Sequence, residues 1–417
     1  MKTPFAWDNY SDQPYQLKDR TFKKAMRKKE LSSLLYTIFS SQFVLPFAFL
    51  IQFFIPKRKL STDNFFGMSV NLDKAPLESV TLIDELGVDA LLIRLPLWEM
   101  DRVDTYIDFV KTFKDKKILL NIMQDREHIE DLELLQKDLS LIFTRFSPYV
   151  EQFQVGTTIN RAKWGFFSIR EYLKFYKVAY QLKQKNFSKL QLLGPSVIDF
   201  EYHFTVHALF NFFKLRYDGI SALLYVDRRG APENRQMGLD LIKKIDLLDA
   251  LAFLSPKSKR RVYITETNWP ISNTAPYAPT SEHECVSEED YANFMVRYYL
   301  LAFASQKIDR VYWHQLIAPG YGLIDKREGL RRRTAFRAFS NMLKLLKNMQ
   351  FVSLKTDGGI YRLIVQNSRQ TVTVIWSQDL EQISYDTVQT YYDRDGQELE
   401  AKEIQVGPSP IYITEAN

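Results

Sequence analysis

From residue 64 onward, short apolar runs alternate with helical patterns eight times along the chain. This alternation is typical of βα units, whose successive strands lie parallel in one sheet. Eight such units over roughly 280 residues favour a closed (β/α)8 barrel over an open doubly wound sheet. The predicted strands are Phe65–Asn71, Asp89–Leu95, Lys117–Met123, Glu151–Gly156, Leu190–Gly194, Gly219–Tyr225, Val262–Thr265 and Ile308–His314.

Beyond the last helical pattern of the barrel, the sequence changes to short strands separated by turn pairs such as Asp357-Gly358 and Asp395-Gly396. The predicted strands there are Ile360–Gln366, Thr371–Ser377, Val388–Asp393 and Pro410–Thr414. The sequence therefore predicts an α/β fold in three parts. They are a basic N-terminal region over residues 1–60, the barrel over residues 61–350, and a small antiparallel β domain over residues 351–417 that closes the side of the barrel.

The segment 31–56 contains no charged residue and lies between two basic clusters. An uncharged run longer than about 18 residues is a candidate transmembrane helix. This run starts too far from the N-terminus to be a cleaved signal peptide. The cluster before the segment contains Lys23, Lys24, Arg27, Lys28 and Lys29, and the cluster after it contains Lys57, Arg58 and Lys59.

Seven Ser, Thr and Gln side chains and a central Pro46 argue against this segment crossing a membrane as one helix. Interfacial attachment by a helix pair broken at Pro46 is a second interpretation, and a buried helix covering the bottom of the barrel is a third. If the segment spans the membrane, the larger basic cluster before it places the N-terminus in the cytoplasm. We therefore predict a membrane-associated protein of the bacterial inner membrane, with the barrel facing the periplasm or the outside.

The composition of the chain indicates which kinds of partner, such as a membrane, a nucleic acid or a metal, it is suited to bind. With 46% hydrophobic residues the chain can bury a large core. The formal net charge is +6, and much of the excess lies in the first sixty residues and in Lys326–Arg333. We interpret this as a basic flank beside a membrane, since no zinc-knuckle, RNP or helix-turn-helix pattern indicates nucleic acid. One cysteine, Cys285, excludes a disulfide framework or a thiolate metal site, and no nucleotide-binding glycine pattern follows a strand. We expect no metal and no cofactor.

A carboxylate, Glu266, stands where the seventh predicted strand ends. The carboxyl ends of barrel strands are where barrel enzymes carry their chemistry. Aromatic and polar residues at the ends of the other strands should share this rim, and such walls suit a polyhydroxylated ligand whose glycosidic bond two carboxylates could cleave. The residues expected to bind substrate are Arg94, Trp98, Trp164, Asp199, Tyr225, Trp269, Trp313 and His314, and other polar residues of the rim are Asn71, Gln124, Glu201, Asp227, Glu233 and Asp325.

Several strand-end motifs, in barrel order, resemble those of the retaining (β/α)8 glycoside hydrolases, nearest to family 39. They are IRLPLW at Ile93–Trp98, LLYVDRRG at Leu223–Gly230, YITETNW at Tyr263–Trp269, and VYWHQL at Val311–Leu316 followed by GLID at Gly322–Asp325. The resemblance covers roughly Phe65–Phe351 and implies that Glu266 is the nucleophile. It also implies that Arg94 supports this nucleophile and that Tyr225 donates a hydrogen bond to it.

The fourth-strand motif departs from the family. Its members carry Gly-Asn-Glu, with the Glu as general acid/base, whereas this chain reads Gly156-Thr157-Thr158. A Thr hydroxyl at the acid/base position cannot protonate a leaving group near neutral pH. Three explanations remain open. Another carboxylate, from Asp199, Glu201 or Glu233, replaces the acid; the protein is a glycan-binding pseudoenzyme; or it transfers sugar from a donor with a good leaving group.

Three further features allow more than one interpretation. His203 and His207 share a helix face and are interpreted as a structural pair before a metal pair. The cluster Lys326–Arg333 is interpreted as a solvated face, with an anionic glycan or lipid headgroup as the alternative. The long loop Asn268–Glu289 is expected to overhang Glu266 as a lid. The predicted function is a glycosidase or transglycosidase on cell-envelope or surface polysaccharide, with glycan binding in envelope polysaccharide assembly as the alternative.

Overall fold

The computed structural model describes residues 6–227, 230–384, 389–399 and 403–417. Two short strands, β1 (Trp7–Asp8) and β2 (Gln13–Pro14), pair antiparallel and form the N-terminal hairpin, residues 6–16. Two helices follow, α1 (Arg20–Lys29) and α2 (Leu31–Ile51).

Eight parallel strands then close into a barrel in which each strand pairs with the next and the last returns to the first. The predicted (β/α)8 fold is therefore confirmed. The strands are β3 (Phe66–Val70), β4 (Ala90–Pro96), β5 (Lys117–Met123), β6 (Gln152–Val155), β7 (Gln191–Ile198), β8 (Gly219–Leu223), β9 (Val262–Thr267) and β10 (Arg310–Trp313).

Helices surround the barrel and bury one face against its strands. They are α3 (Pro76–Leu86), α4 (Val103–Thr112), α5 (Arg126–Glu130), α6 (Leu132–Phe146), α7 (Ile169–Asn186), α8 (Tyr202–Leu209), α9 (Leu241–Leu254), α10 (Glu288–Ala304) and α11 (Thr334–Leu346). A two-stranded ribbon of β11 (Ile324–Asp325) and β12 (Arg331–Arg332) precedes α11.

The barrel interior is filled mainly by aliphatic and tyrosine side chains at one end and by polar side chains at the other. A separate cluster of buried side chains fills the half near the strand starts, and it consists of Ala90, Leu92, Leu119, Leu193, Tyr263 and Tyr312. Further along the same strands, the inward positions carry Arg94, Asn121, Gln154 and Glu266, all buried. The packed end makes the barrel a solid core, so polar chemistry is confined to the carboxyl ends of the strands.

Helix α2 buries its small polar side chains and exposes its apolar ones, which is the opposite of a typical surface helix. Its small polar residues Ser33, Thr37, Ser40 and Ser41 are buried, and it packs against α8 and α9. Apolar side chains cover its opposite face and are exposed, namely Leu31, Leu34, Leu35, Ile38, Phe39, Phe43, Phe47, Phe49 and Leu50. A helix on a water-soluble surface normally presents its polar face to solvent. By length and composition α2 is also the one candidate membrane-crossing helix among the described residues.

Pro46 does not break this helix, so the structure does not contain the pair of helices broken at Pro46 that was one of the interpretations of this segment. Proline removes one helical hydrogen bond and its ring crowds the preceding turn, which is costly for an isolated helix. Here Ala48 is fully buried two residues later, and Leu45 and Ile51 pack against the main core. Packing on both sides of the proline therefore holds the helix continuous.

The segments that precede and follow α2 both contact the barrel. Before the helix, Asp12 accepts a hydrogen bond from Lys74 Nζ at 2.9 Å, and Glu30 accepts one from Ser168 Oγ at 2.6 Å. After the helix, Arg58 Nη1 lies 2.9 Å from Asp309 Oδ2. The helix thus lies along the barrel wall, with its two ends tied to one body.

The C-terminal part forms an antiparallel sheet, as predicted. Its strands are β13 (Gln350–Asp357), β14 (Ile360–Gln366), β15 (Gln370–Ser377), β17 (Thr390–Tyr392), β18 (Glu398–Leu399) and β20 (Ile411–Ala416). A separate ribbon pairs β16 (Glu381–Ser384) with β19 (Glu403–Val406). Val388, the first residue of the predicted strand Val388–Asp393, lies outside the described residues.

Glu233, one of the candidate acids, joins this sheet to the barrel. It is buried and accepts hydrogen bonds from Arg297 Nε at 2.9 Å and from Trp376 Nε1 at 2.8 Å. Arg297 belongs to α10 and Trp376 to β15. A carboxylate held by these two partners is part of the domain interface and does not line the barrel mouth.

Replacing Glu233 with Gln is expected to destabilise the protein by about 3–5 kcal/mol, because the buried Arg297 cation loses its counter-charge. Urea denaturation followed by circular dichroism measures this change. The exposed Glu398 of β18 provides a matched control, and E398Q should change stability by less than about 0.5 kcal/mol. Equal stabilities for E233Q and E398Q would contradict the structural role assigned to Glu233.

Candidate active site

Glu266 is the penultimate residue of β9 and reaches the open end of the barrel. Its carboxylate is bound at both oxygens. Arg94 Nη2 donates to Oε2 at 2.6 Å, and Tyr225 Oη donates to Oε1 at 2.7 Å. With 9% of the residue exposed, the carboxylate is fixed in orientation yet still borders a cavity. This is the geometry expected of a preorganised anionic group at a strand end.

Arg94 lies on β4 and is buried. Burial opposes its charge and lowers its pKa, but the Glu266 carboxylate together with Tyr321 and Asp12 outweighs burial and raises the pKa of Arg94. Its Nε and Nη1 have no hydrogen-bond partner among the described residues. Since buried N–H groups are rarely left unsatisfied, these two donors are suited to hydroxyl oxygens of a ligand.

His314 follows β10 and forms another wall of the cavity. Its ring stacks on that of Tyr321, with centroids 5.4 Å apart. Burial, with the nearby Arg94 and Lys74 cations, lowers the pKa of His314 well below its ordinary value. The imidazole is therefore neutral near pH 7, and it can exchange hydrogen bonds with a neutral hydroxyl but supplies no charge.

The cavity beside Glu266 has a volume of about 200 Å³. Besides Glu266, its walls include Thr158, Lys163 and Trp164, together with Asp12 of the N-terminal hairpin. Pro279 of the loop Asn268–Glu289 also lines it, so this loop reaches over the cavity. Typical small-molecule sites measure about 300–1,000 Å³, so the space left beside Glu266 is small.

Thr158 stands at the mouth, in the position where the resemblance to family 39 implies a general acid. It is 1% exposed, with a left-handed φ of 49°, and its hydroxyl has no partner among the described residues. The neighbouring Thr157 is held through its backbone, because Gln124 both donates to its carbonyl and accepts from its N–H. The fourth strand therefore presents a hydroxyl, and no carboxylate, toward the cavity.

The candidate replacement acids are held elsewhere. Asp199 and Glu201 each pair with Arg161, at 2.6 Å, and their side chains are 45% and 33% exposed. Glu233 belongs to the domain interface. Among the described residues that line the cavity of Glu266, the only other carboxylate is Asp12.

Solved structures similar to this chain are glycoside hydrolases. A family 39 glycoside hydrolase from Bacteroides cellulosilyticus matches with a TM-score of 0.65 and 15% identity, covering 84% of this chain and 80% of that one. A family 30 endoxylanase from Clostridium papyrosolvens matches with a TM-score of 0.58 and 11% identity, covering 87% and 98%. The chain shares the (β/α)8 barrel fold of these enzymes. A monomeric β-xylosidase from Caulobacter crescentus, with a TM-score of 0.57 and 11% identity over 86% and 97%, shares it.

No model of a known protein family and no curated protein sequence matches the chain. At these low identities the structural matches establish the fold of a glycoside hydrolase and leave the reaction to be argued from the site. The resemblance to family 39 and its relatives, predicted from the strand-end motifs, is confirmed at the level of the fold. Arg228 and Arg229 of the sixth-strand motif lie outside the described residues.

Two of the four predicted stacking tryptophans are not in the cleft of the barrel. Trp269 and Trp313 are fully buried and stack on each other, with centroids 5.7 Å apart. Trp313 Nε1 donates to Tyr291 Oη at 2.6 Å. The prediction that these side chains form sugar-binding walls is wrong, because they point outward from the barrel into the layer beneath α10.

Trp98 and Trp164 lie at the mouth of the barrel, where Trp98 is half-buried and Trp164 is buried. Trp7 of the N-terminal hairpin packs between them, with ring centroids 5.3 Å from Trp98 and 5.7 Å from Trp164. Asp199, predicted to bind substrate, lies outside the cavity of Glu266 and pairs with Arg161. Sequence reasoning missed Lys163 and Tyr321, which lie in the loops after β6 and β10 but carry no distinctive motif of their own, and it missed the hairpin, which follows no barrel strand.

The basic cluster Lys326–Arg333 is largely paired within the barrel. Asp325 accepts hydrogen bonds from Arg327 and Arg333, and Arg332 pairs with Glu85. Although burial favours the neutral acid, hydrogen bonds from Arg327 and the charge of Arg333 lower the pKa of Asp325 to about 2. These pairs favour the interpretation as a structural surface over an anion-binding patch.

His207 also has a structural role. Its Nδ1 lies 2.7 Å from Thr37 Oγ1 of α2, and burial lowers the pKa of the imidazole to about 4. The described residues contain no cluster of His, Cys, Asp and Glu that could hold a metal ion. The helical pair of histidines therefore serves the packing of α2.

Proposed function

We propose that this protein acts on a saccharide by a retaining mechanism in which Glu266 is the nucleophile and the usual acid/base carboxylate is absent. The observation that carries this proposal is the fixed Glu266 carboxylate, held by Arg94 and Tyr225 at the open end of a glycoside hydrolase barrel. A carboxylate so placed can attack an anomeric carbon and form a covalent glycosyl-enzyme intermediate.

Thr158 restricts the substrate. Without a proton donor, cleavage requires a leaving group that departs as a stable anion, such as the phosphate or nucleotide of an activated sugar donor. The reaction that fits this requirement is transfer of sugar from an activated donor to another acceptor, rather than hydrolysis of an unactivated glycosidic bond. We place this activity on cell-envelope or surface polysaccharide, since the protein carries an element suited to a membrane surface.

A second candidate function is saccharide binding without turnover. The observation that favours it is also Thr158, together with the pairing of Asp199, Glu201 and Glu233 away from the cavity. In this case Glu266 and Arg94 serve as hydrogen-bonding groups for sugar hydroxyls.

Covalent trapping separates the two functions. The full chain is incubated with a panel of 2-deoxy-2-fluoro glycosides bearing activated leaving groups, and peptides are analysed by mass spectrometry. An activated leaving group does not need the missing acid, so a competent nucleophile gives an adduct on the peptide that contains Glu266. A folded protein that binds oligosaccharide but gives no adduct would support binding without turnover.

We further propose that α2 attaches the protein to the surface of a membrane. The outward face of the helix exposes Phe39, Phe43 and Phe47 among many apolar side chains, and exposed apolar area of this size marks an interaction surface. The cationic α1 precedes it, which suits anionic lipid headgroups. Contacts of the barrel with both flanks of α2 support an interfacial position over a transmembrane span.

The full chain is expected to float with vesicles of phosphatidylglycerol and phosphatidylethanolamine in a density gradient. The double variant F43E/F47E should bind at least tenfold less, because burying one phenylalanine contributes roughly 1.5–3 kcal/mol and a charge opposes insertion. Leu141 on α6 is also exposed, and L141E should float like the wild type. Wild-type protein that stays in the soluble fraction would contradict surface attachment.

A further inference from the structure

The N-terminal hairpin lies inside the cleft of the barrel. Trp7 packs between the rings of Trp98 and Trp164, the two predicted stacking tryptophans that remain at the mouth. Gln13 accepts a hydrogen bond from Lys163 Nζ at 2.6 Å and donates to the carbonyl of Pro279 at 3.2 Å. The hairpin thus occupies the aromatic surfaces on which a sugar ring would stack.

Asp12 at the tip of this hairpin is bound by three donors from the barrel. Lys74 Nζ donates to Oδ1 at 2.9 Å, while Gln315 Nε2 and Tyr321 Oη donate to Oδ2 at 2.9 and 3.0 Å. These three side chains, which we call the carboxylate cradle, are 6%, 1% and 2% exposed. Two donors on one oxygen and an ammonium on the other satisfy a planar carboxylate.

The cradle belongs to the barrel and not to the hairpin. Lys74 follows β3, and Gln315 and Tyr321 follow β10, so adjacent strands of the barrel position all three groups. Asp12 itself adopts a left-handed φ of 50° at the tip of the turn. The buried donors of the barrel thus bind a carboxylate that comes from a short hairpin with only two residues in each strand. This arrangement resembles an occupied binding site, with Asp12 in the place of a ligand.

The cradle is continuous with the site of Glu266. Asp12 lines both cavities at the mouth, one of about 200 Å³ on the side of Glu266 and one of about 320 Å³ on the side of Trp98. Arg94 also lines both of them. The hairpin therefore divides one cleft into two small spaces, neither much larger than the smallest typical ligand site.

We propose that the cradle of Lys74, Gln315 and Tyr321 is a subsite for the carboxylate of an acidic saccharide, and that this saccharide and the N-terminal hairpin compete for the cleft. The proposal rests on the saccharide function above and adds the substrate class. Asp12 stands in for the uronate carboxylate, and Trp7 stands in for the sugar ring between Trp98 and Trp164. Withdrawal of the hairpin also frees Lys163 to face the ligand.

Charge supports an acidic ligand in particular. When Asp12 leaves, Lys74 keeps only Asp73, whose side chain is 55% exposed and lies 3.0 Å from Nζ. A neutral saccharide would leave this largely buried ammonium without a buried counter-charge, whereas a uronate would restore it. The buried amide of Gln315 and hydroxyl of Tyr321 would likewise regain an acceptor.

The test compares uronate oligosaccharides with their methyl esters, which have the same shape but no charge. Trisaccharides of galacturonate, glucuronate and mannuronate, each beside its methyl ester, are titrated by calorimetry into the full chain and into W7A/D12N. The double variant removes the stacking ring and the competing carboxylate but leaves the cradle intact. We expect at least one uronate to bind W7A/D12N at least tenfold more tightly than the wild type, and at least tenfold more tightly than its ester.

A third variant assigns the preference to the cradle. Adding K74M to W7A/D12N should weaken uronate binding at least tenfold more than ester binding and so remove the difference between uronate and ester. A folded W7A/D12N that binds no uronate, or that binds ester and acid equally, would overturn the proposal. The trapping experiment is independent of it, since an adduct on Glu266 without a uronate preference would retain the proposed function and remove only the substrate class.

Discussion

Replacing Glu266 with Gln is expected to reduce turnover of an activated aryl glycoside by about 10³-fold or more and to abolish covalent trapping. The amide keeps the size of the side chain and can still accept a hydrogen bond from Tyr225. It cannot form the glycosyl ester, so the loss falls on the chemical step. Steady-state release of the aryl group measures kcat, and intact mass spectrometry measures the adduct.

Glu201 supplies the matched control. Its carboxylate is hydrogen-bonded to Arg161 and Asn160, outside the cavity of Glu266. E201Q should therefore retain trapping and change turnover by less than about threefold, within the small effects of surface substitutions. If E201Q lost as much activity as E266Q, the nucleophile would have been assigned to the wrong carboxylate.

Replacing Thr158 with Glu is expected to raise hydrolysis of unactivated oligosaccharides by about 10²–10⁴-fold, the usual contribution of general acid catalysis. Thr158 borders the cavity of Glu266, and the longer side chain extends a carboxyl group into it. The gain should appear for poor leaving groups and be small for activated aryl glycosides, which need little protonation. The ratio of kcat/KM for the two substrate types is the informative quantity.

T158Q is the control for T158E, since it has the same length but cannot donate a proton. Both substitutions keep the left-handed φ of 49° that Thr158 already adopts and place a longer side chain at the same buried position, and overpacking of this kind costs roughly 1–3 kcal/mol of stability. The two variants should therefore unfold at similar urea concentrations. Equal activity of T158E and T158Q on oligosaccharides would indicate that Thr158 does not occupy the acid position.

The barrel and the position of Glu266 were predictable because they depend on local patterns. Alternating apolar and helical segments define the βα units, and the carboxyl end of each strand follows from the same pattern. Glu266, Arg94 and Tyr225 stand at such ends, and their motifs carry the resemblance to the glycoside hydrolases. The structure brings these three side chains together as the resemblance implied.

The tryptophans were harder because a strand end has two sides. Adjacent residues point to opposite faces of a strand, so Trp313 and His314 cannot both face the cleft. His314 lines the cavity and Trp313 is buried in the core. The sequence pattern does not indicate which of these two adjacent residues faces the cleft. The side chain of Trp269 also points away from the cleft, and its ring stacks on that of Trp313.

The N-terminal hairpin was not predictable from local pattern at all. Asp12 meets Gln315 across 303 positions of sequence, and Gln13 meets Pro279 across 266. Residues 6–16 also carry no periodicity that would predict a strand pair. Contacts over such separations depend on the completed barrel, which supplies every partner of Asp12.

The inverted face of α2 has a practical consequence for protein production. Removing the first sixty residues appears attractive for obtaining a soluble barrel, but it would uncover the surfaces of α8 and α9 on which the helix packs. His207 would lose Thr37, and the core residues that Leu45 and Ile51 cover would meet water. A better-behaved sample should retain the helix and carry polar substitutions only at its outward phenylalanines.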